Sequence, residues 1–352
     1  MSSRITFRDG QERQPQALQE IAAHVREQLA GPHATRLRGA RRPLFLGIGA
    51  SYAALALPVE LLREQDVAAQ RALASEVGPA GRGFDTDLLV GVSQGGRSLE
   101  TIAAFRELAA VPRVAVLNVA PSPLADLADL GVGLGNQPDS YASTIGFTGT
   151  IVALDLLAEL IAARPAAADP WRDIAAQVTG VRTTTLDVLA SVRERAAGCV
   201  AADIVGSGAS RASAEEGALL LREVTRMPAA ASATRNYLHG EMESAGRTLH
   251  VIFGDGREVE LARSLSGAGH LTLLVTGTAV EPAADLAVVP LPEAATGARI
   301  VLETVVLQEL AATLADERGI AIESFVFAND DTKEGGVDPA DFAIASPRAQ
   351  GR

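Results

Sequence analysis

The sequence predicts an α/β protein of two domains, each a mainly parallel sheet flanked by helices. Three observations carry this expectation. Short apolar runs alternate with segments of helical period along most of the chain. A strand–glycine–helix device occurs twice: as PLFLGIGASYAA at 43–54, and as ADIVGSGAS at 202–210 running on into RASAEEGALLLREVTRM. The length, 352 residues, suits two domains or one large one. The expected organisation is an N-terminal helix and linker at 1–42, a first α/β domain at 43–170 and a connecting helical region at 171–199. A second α/β domain at 200–328 and a tail at 329–352 complete it.

In order, PQALQEIAAHVREQL predicts a helix, with Leu18, Ile21, Val25 and Leu29 at helical spacing and Pro15 suited to its first turn. Gly31–Arg42, rich in Gly, Pro and Arg, is a linker. The first domain opens with a strand at Pro43–Leu46, a glycine turn and a helix at Ser51–Glu64. A strand at Leu88–Val92 runs into Ser93, Gln94, Gly95, Gly96 and Arg97, and a helix resumes from Ser98. A strand at Val114–Val119 follows. The polar segment QPDSYAST at 137–144 then precedes the apolar helix IGFTGTIVALDLLAELIAAR. Pro165–Arg172 breaks the pattern, and Ile174–Ala196 reads as helical. From about Val200 come a strand, a glycine turn and a helix to Met227. A strand at His250–Phe253, a helix at Arg257–Leu265, strands at Leu271–Val275 and Leu286–Val289, and a helix at Ile300–Arg318 complete the domain. The tail from Phe325 is aperiodic, either a flap over a site or a ragged end.

Composition narrows the classes of function. The net charge is −12 and there is no basic stripe, which argues against a nucleic-acid partner. No apolar run is long enough to span a membrane and no secretory h-region follows the start. The single cysteine, Cys199, excludes an internal disulfide framework. A cytoplasmic enzyme or binding protein is the expectation. GxGxxG is absent at 47–52, which reads GIGASY, and no Walker A motif occurs, so neither NAD nor ATP is expected. No cofactor and no metal are expected.

Ligands of open parallel sheets bind beyond the carboxyl ends of the strands. That brings forward Gly49–Tyr52, Ser93–Thr101 and Ser140–Thr144. Small residues at Ser93–Ser98 let backbone N–H groups approach an anion, with Ser51, Ser93, Ser98 and Ser143 as hydroxyl donors and a helix N-terminus behind them. The alternative is that Ser98 caps a helix and the glycines form a turn. Glu216, Glu223 and His239 make a second group. Glu223 follows Glu216 by two helical turns, and His239 precedes Gly240. A carboxylate can abstract a proton beside a carbonyl and a histidine can protonate a ring oxygen, or both can be solvated surface groups.

The stretch GSGASRASAEEGALLLREVTRM...NYLHG resembles the second sugar isomerase (SIS) domain of the isomerase half of glucosamine-6-phosphate synthase and of the fructosamine-phosphate deglycases. VSQGGRSLET at 92–101 resembles the phosphate loop of the family's first domain, GIGAS at 47–51 its opening turn and YAST at 141–144 its VAST segment. GQERQPQAL at 10–18 is similar to the family's start. The resemblance implies two SIS domains. It implies phosphate contacts from Ser51, Ser93, Gln94, Ser98 and Ser143, and Gly95, Gly96 and Arg97 of the same loop are further candidates for the substrate's phosphate. It further implies that Glu223 moves the proton between C1 and C2, that His239 opens the ring, and that a homodimer shares its active sites. The chain is read as lacking a glutaminase domain. Gly95 stands where the family has serine, and Arg97 is a further departure that can offset the lost donor. Ala345 occupies the Schiff-base lysine position, and Lys333 is the only lysine. Glu241 replaces the proline of HGP and is a candidate contact for a substrate amine. These features predict a sugar-phosphate isomerase or fructosamine-phosphate deglycase. A non-catalytic sugar-phosphate-binding module and a structural oligomerisation role are the alternatives.

Overall fold

A computed structural model describes residues 4–32, 34–163, 169–244, 246–327 and 330–336. The chain forms two compact units: Met1–Arg172 with Glu323–Arg352, and Asp173–Ile322.

In the first unit, α1 (Phe7–Leu29) precedes β1 (Pro43–Gly47), α2 (Ala50–Ala54), α3 (Ala56–Arg63), β2 (Gln70–Leu73) and β3 (Leu88–Val92). Then come α4 (Leu99–Glu107), β4 (Arg113–Leu117), α5 (Pro123–Leu127), β5 (Leu130–Gly133) and α6 (Ile145–Ile161). The strands lie in the order β2-β1-β3-β4-β5, all parallel. Every residue of β1 and β3 is buried, as strands covered on both faces require. Apolar side chains of β1, β3 and β4, such as Leu44, Leu89 and Ala115, pack with Ile102 and Phe105 of α4. The sheet's other face is closed by α6, which is buried along nearly its whole length.

The second unit carries α7 (Ile174–Ala190), α8 (Arg193–Ala197), β6 (Ala201–Gly206), α9 (Arg211–Thr225), β7 (Ala229–Ser232) and α10 (Thr234–Leu238). These are followed by β8 (Thr248–Phe253), α11 (Arg257–Gly267), β9 (Thr272–Thr276), β10 (Leu286–Pro290) and α12 (Thr296–Glu317). Its parallel sheet runs β7-β6-β8-β9-β10, the same order as in the first unit. Helix α12 carries buried charges: Glu309 accepts from Arg182 of α7 at 2.7 Å. Glu303 accepts from Arg299 at 3.0 Å and from Ser210 at 2.9 Å.

The repeat extends to backbone detail. A Cβ at Gly47 would lie 2.8 Å from the Ser51 carbonyl carbon, and one at Gly206 would lie 2.9 Å from the Ser210 oxygen. Gly49 and Gly208 both have positive φ, 58° and 56°. In each device the first glycine permits the close strand-to-helix turn and the second permits its hand.

Several boundaries differ from the periodicity. Helix α1 starts at Phe7, where the Thr6 hydroxyl accepts from the Asp9 N–H, so Pro15 lies inside the helix rather than in its first turn. The expected helix at Ser51–Glu64 is divided into α2 and α3, and the expected helix at Ile174–Ala196 into α7 and α8. Strands β2, β5 and β7 were not predicted. Most of the tail, including Ala345, lies outside the described residues.

Candidate functional site

In the first sheet the connections diverge on either side of β1 and β3, and that is where open parallel sheets hold ligands. The loop after β1 ends at Ser51 and the loop after β3 runs from Ser93 to Ser98. Ser51 is half-buried, Ser93 is buried, and neither hydroxyl has a protein partner among the described hydrogen bonds. The Gly96 N–H turns back onto the Ser93 carbonyl at 3.0 Å, whereas the N–H groups of Gln94 and Gly95 donate to no other backbone group. Two hydroxyls and two backbone donors therefore stand at this end of the sheet.

The remaining expected donors are already engaged. Gln94 Nε2 donates to Asp139 Oδ2 at 2.6 Å, and Ser143 Oγ donates to the same oxygen at 2.7 Å. The other oxygen of Asp139 accepts from the N–H groups of Thr144 and Ile145 and from the Thr144 hydroxyl, each at 3.0 Å. One buried carboxylate thus ties the Ser93 loop to the start of α6. Gly146 makes room for it, because a Cβ there would run into Asp139, Gln94 and Ser143. Asp139 was not singled out from the sequence. It precedes α6 by too many residues to read as a cap, and its partner Gln94 lies in a distant loop.

Ser98 caps α4. Its hydroxyl accepts from the Thr101 N–H at 3.4 Å and donates to Glu100 at 2.9 Å. Arg97 points away from the role of anion donor. Its Nε donates to the Glu334 carbonyl at 2.9 Å, and Nη2 donates to the carbonyls of Glu334 at 2.6 Å and Gly336 at 2.7 Å. Gly95 faces open space, with no atom within 4 Å of where a Cβ would be.

The matching loop in the second unit, after β8, carries a carboxylate, Asp255, in place of a run of small donors. Asp255 accepts from Thr276 at 2.8 Å, from the Gly277 N–H at 2.7 Å and from Arg299. Burial opposes the charge on Asp255, but these partners prevail and hold its carboxyl down at about 2.

Glu223 sits in the last turn of α9, largely enclosed. Burial pushes its carboxyl up to about 7, with Arg226 pulling the other way. Glu216 lies on the same helix and is buried. His239 caps α10 and is exposed; its N–H donates to the Asn236 carbonyl at 3.0 Å, and the Asn236 amide donates to Glu241 at 2.6 Å. No hydrogen bond joins Glu223 to His239 among the described residues.

Residues 36–160 match the family model of the SIS domain. This segment is a SIS domain. Glutamine–fructose-6-phosphate aminotransferase [isomerizing] of Gluconobacter oxydans strain 621H is 31% identical over 175 residues, which are 46% of this chain and 28% of that protein. The chain thus spans under a third of the length of this curated relative. Among solved structures, the C-terminal domain of glucosamine-fructose-6-phosphate aminotransferase from Francisella tularensis superposes with a TM-score of 0.79 at 20% identity. That superposition covers 90% of this chain and 97% of that one. Tagatose-6-phosphate ketose/aldose isomerase from Escherichia coli gives a TM-score of 0.71 at 15% identity, covering 89% and 93%. At these identities the likeness is one of fold: two five-stranded parallel sheets in tandem, flanked by helices, as described above. Among the described residues, no helix is long and apolar enough to cross a membrane.

Proposed function

We propose that this SIS protein is a sugar-phosphate isomerase, or a deglycase of fructosamine phosphates, that moves a proton between C1 and C2 of its substrate. The observation that carries this reading is Glu223, a carboxyl pushed up to about 7 and therefore suited to gain and lose a proton near neutrality. The Ser93 loop supports it with the Ser51 and Ser93 hydroxyls and the Gln94 and Gly95 N–H groups as donors to a phosphate.

In this reading His239 donates a proton to the ring oxygen and opens the sugar. The Glu223 carboxylate takes the proton from the carbon beside the carbonyl, giving an enediolate in which the neighbouring hydroxyl proton passes to the former carbonyl oxygen. The same carboxyl returns the proton to the neighbouring carbon, completing the interchange of aldose and ketose. With an amine on the carbon that lost the proton, the same transfer leaves an imine there, which water hydrolyses to the aldehyde and the free amine, the deglycase outcome. Glu241 is the candidate contact for such an amine. The chain acts as a homodimer with shared sites, on a small sugar phosphate, without a cofactor.

The deciding experiment follows exchange of the C1 and C2 hydrogens of fructose 6-phosphate and glucosamine 6-phosphate with deuterated water by NMR. Wild-type exchange rises with pH until the Glu223 carboxyl is deprotonated, near 7, and then levels. Glu223→Gln lowers it by roughly a hundredfold or more, with an unchanged circular dichroism spectrum. Exchange at the wild-type rate in this variant sinks the proposal. Tight binding by the wild type with no exchange selects the non-catalytic binding module, a reading that the exposure of His239 favours.

A further inference from the structure

The imidazole of His239 makes no hydrogen bond among the described residues, so the backbone that carries it sets its place. That backbone is a turn closed on itself. The His239 N–H donates to the Asn236 carbonyl at 3.0 Å, the Gly240 N–H to the Tyr237 carbonyl at 3.4 Å and the Glu243 N–H to the Gly240 carbonyl at 3.0 Å. The Asn236 amide spans the turn to Glu241 at 2.6 Å. Gly240, with a φ of 140°, provides the reversal. None of these bonds reaches the sheet.

Tyr237, two residues before His239, makes that connection. It is 1% exposed, and its hydroxyl donates to Asp203 of β6 at 2.8 Å. With its one proton directed to Asp203, the same oxygen accepts from Nδ1 of His250 on β8, 3.0 Å away. Asp203 and His250 are register partners on adjacent parallel strands, so two strands fix a single hydroxyl. Leu238 and Met242 pack on the core around Tyr237 as well. Apolar contacts are non-directional and hold the turn against the sheet, whereas the two hydrogen bonds also define its position along the sheet. Resting on the sugar-phosphate reading above, in which His239 protonates the ring oxygen, we propose that Tyr237 is a positioning residue for His239, anchored by Asp203 and His250. The second unit's sheet thus serves the ring-opening step through one phenol.

The choice of substrate separates this role from a role in folding. 5-Deoxyfructose 6-phosphate lacks the hydroxyl that closes the furanose ring and stays open, whereas fructose 6-phosphate has to be opened. Exchange of the C1 hydrogens of each with deuterated water is followed by NMR, at a temperature where every variant keeps the wild-type circular dichroism spectrum. Tyr237→Phe lowers exchange of fructose 6-phosphate about tenfold and leaves that of the 5-deoxy ketose within about twofold of wild type. Asp203→Ala behaves in the same way, and Asp203→Asn, which keeps an oxygen to accept from the phenol, retains most of the wild-type rate. An unchanged rate on fructose 6-phosphate in Tyr237→Phe and Asp203→Ala overturns the inference and leaves the sugar-phosphate reading standing. An equal fall on both ketoses also overturns it, because it assigns Tyr237 to the fold alone. Absence of exchange of either ketose by the wild type removes that reading and the inference with it.

Discussion

At Gly96 the backbone turns through a φ of 63°, and a Cβ there would lie 2.6 Å from Ser122 Cβ. Its neighbour Gly95 has an ordinary φ and nothing within 4 Å. The two glycines therefore predict opposite outcomes for one substitution. Gly96→Ser combines an unfavourable left-handed backbone with a collision and costs about 2 kcal/mol or more, read as a lower midpoint in urea. Gly95→Ser leaves that midpoint within about 0.5 kcal/mol, and it places a hydroxyl beside the open N–H groups. If a phosphate binds the loop, Gly95→Ser tightens fructose 6-phosphate by about three- to tenfold in calorimetry; weaker binding would place the anion elsewhere. Ser51 and Ser93 were legible in the sequence because small residues after a strand are a local signal. The Gln94–Asp139–Ser143 knot was not, since nothing in residues 137–144 reveals which of their polar groups will face a loop 45 residues earlier.

Among the elements, the central strands β1, β3, β6 and β8 were legible as continuous apolar runs, because both faces and both edges are covered. The four-residue strands β2, β5 and β7 all lie at sheet edges, with patterns eased by partial exposure. They lacked a run long enough to register. A second element hidden from periodicity is the polar clamp on α10, a helix of five residues. Tyr237, buried, donates to Asp203 of β6 at 2.8 Å, and its oxygen meets His250 Nδ1 of β8 at 3.0 Å. Asp203 and His250 are register partners on adjacent strands, and the His270 ring stands 5.8 Å from that of His250. Burial, with a smaller contribution from His270, lowers His250 from 6.5 to about 4. The sign follows: the unfolded chain takes up this proton first, so stability falls as pH drops from 6.5 towards 4, by up to about 1.4 kcal/mol per unit. Tyr237→Phe strands the buried His250 ring and the half-buried Asp203 carboxylate and costs about 1–3 kcal/mol at pH 7. Denaturant melts of His250→Phe across that pH range should lack the acid decline attributable to this histidine; an unchanged slope would assign the decline to other groups.

The whole molecule repeats one sheet topology twice, yet the two units are closed differently. The second is continuous in sequence, from Asp173 to Ile322. It has its own apolar core around Val205, Tyr237, Ile252, Leu261 and Leu274, and its buried carboxylates find partners within it, as Glu309 does in Arg182 and Glu303 in Arg299. The first unit is discontinuous and needs Glu323–Arg352 as well as Met1–Arg172. Glu323 accepts from the Phe7 N–H at 3.0 Å at the start of α1, and Phe325 and Glu334 reach the two ligand-side loops. Cutting the chain after Ile322 therefore acts on one unit and spares the other. In calorimetry the shortened chain should show its first-unit transition at a lower temperature, by several degrees for a loss of about 1–3 kcal/mol, while a second transition keeps its midpoint. A fragment of residues 173–322 should unfold cooperatively by itself at that second midpoint. A fragment that fails to fold, or a shortened chain that melts in one unshifted step, would mean that the two sheets draw their stability from each other rather than each from its own closure.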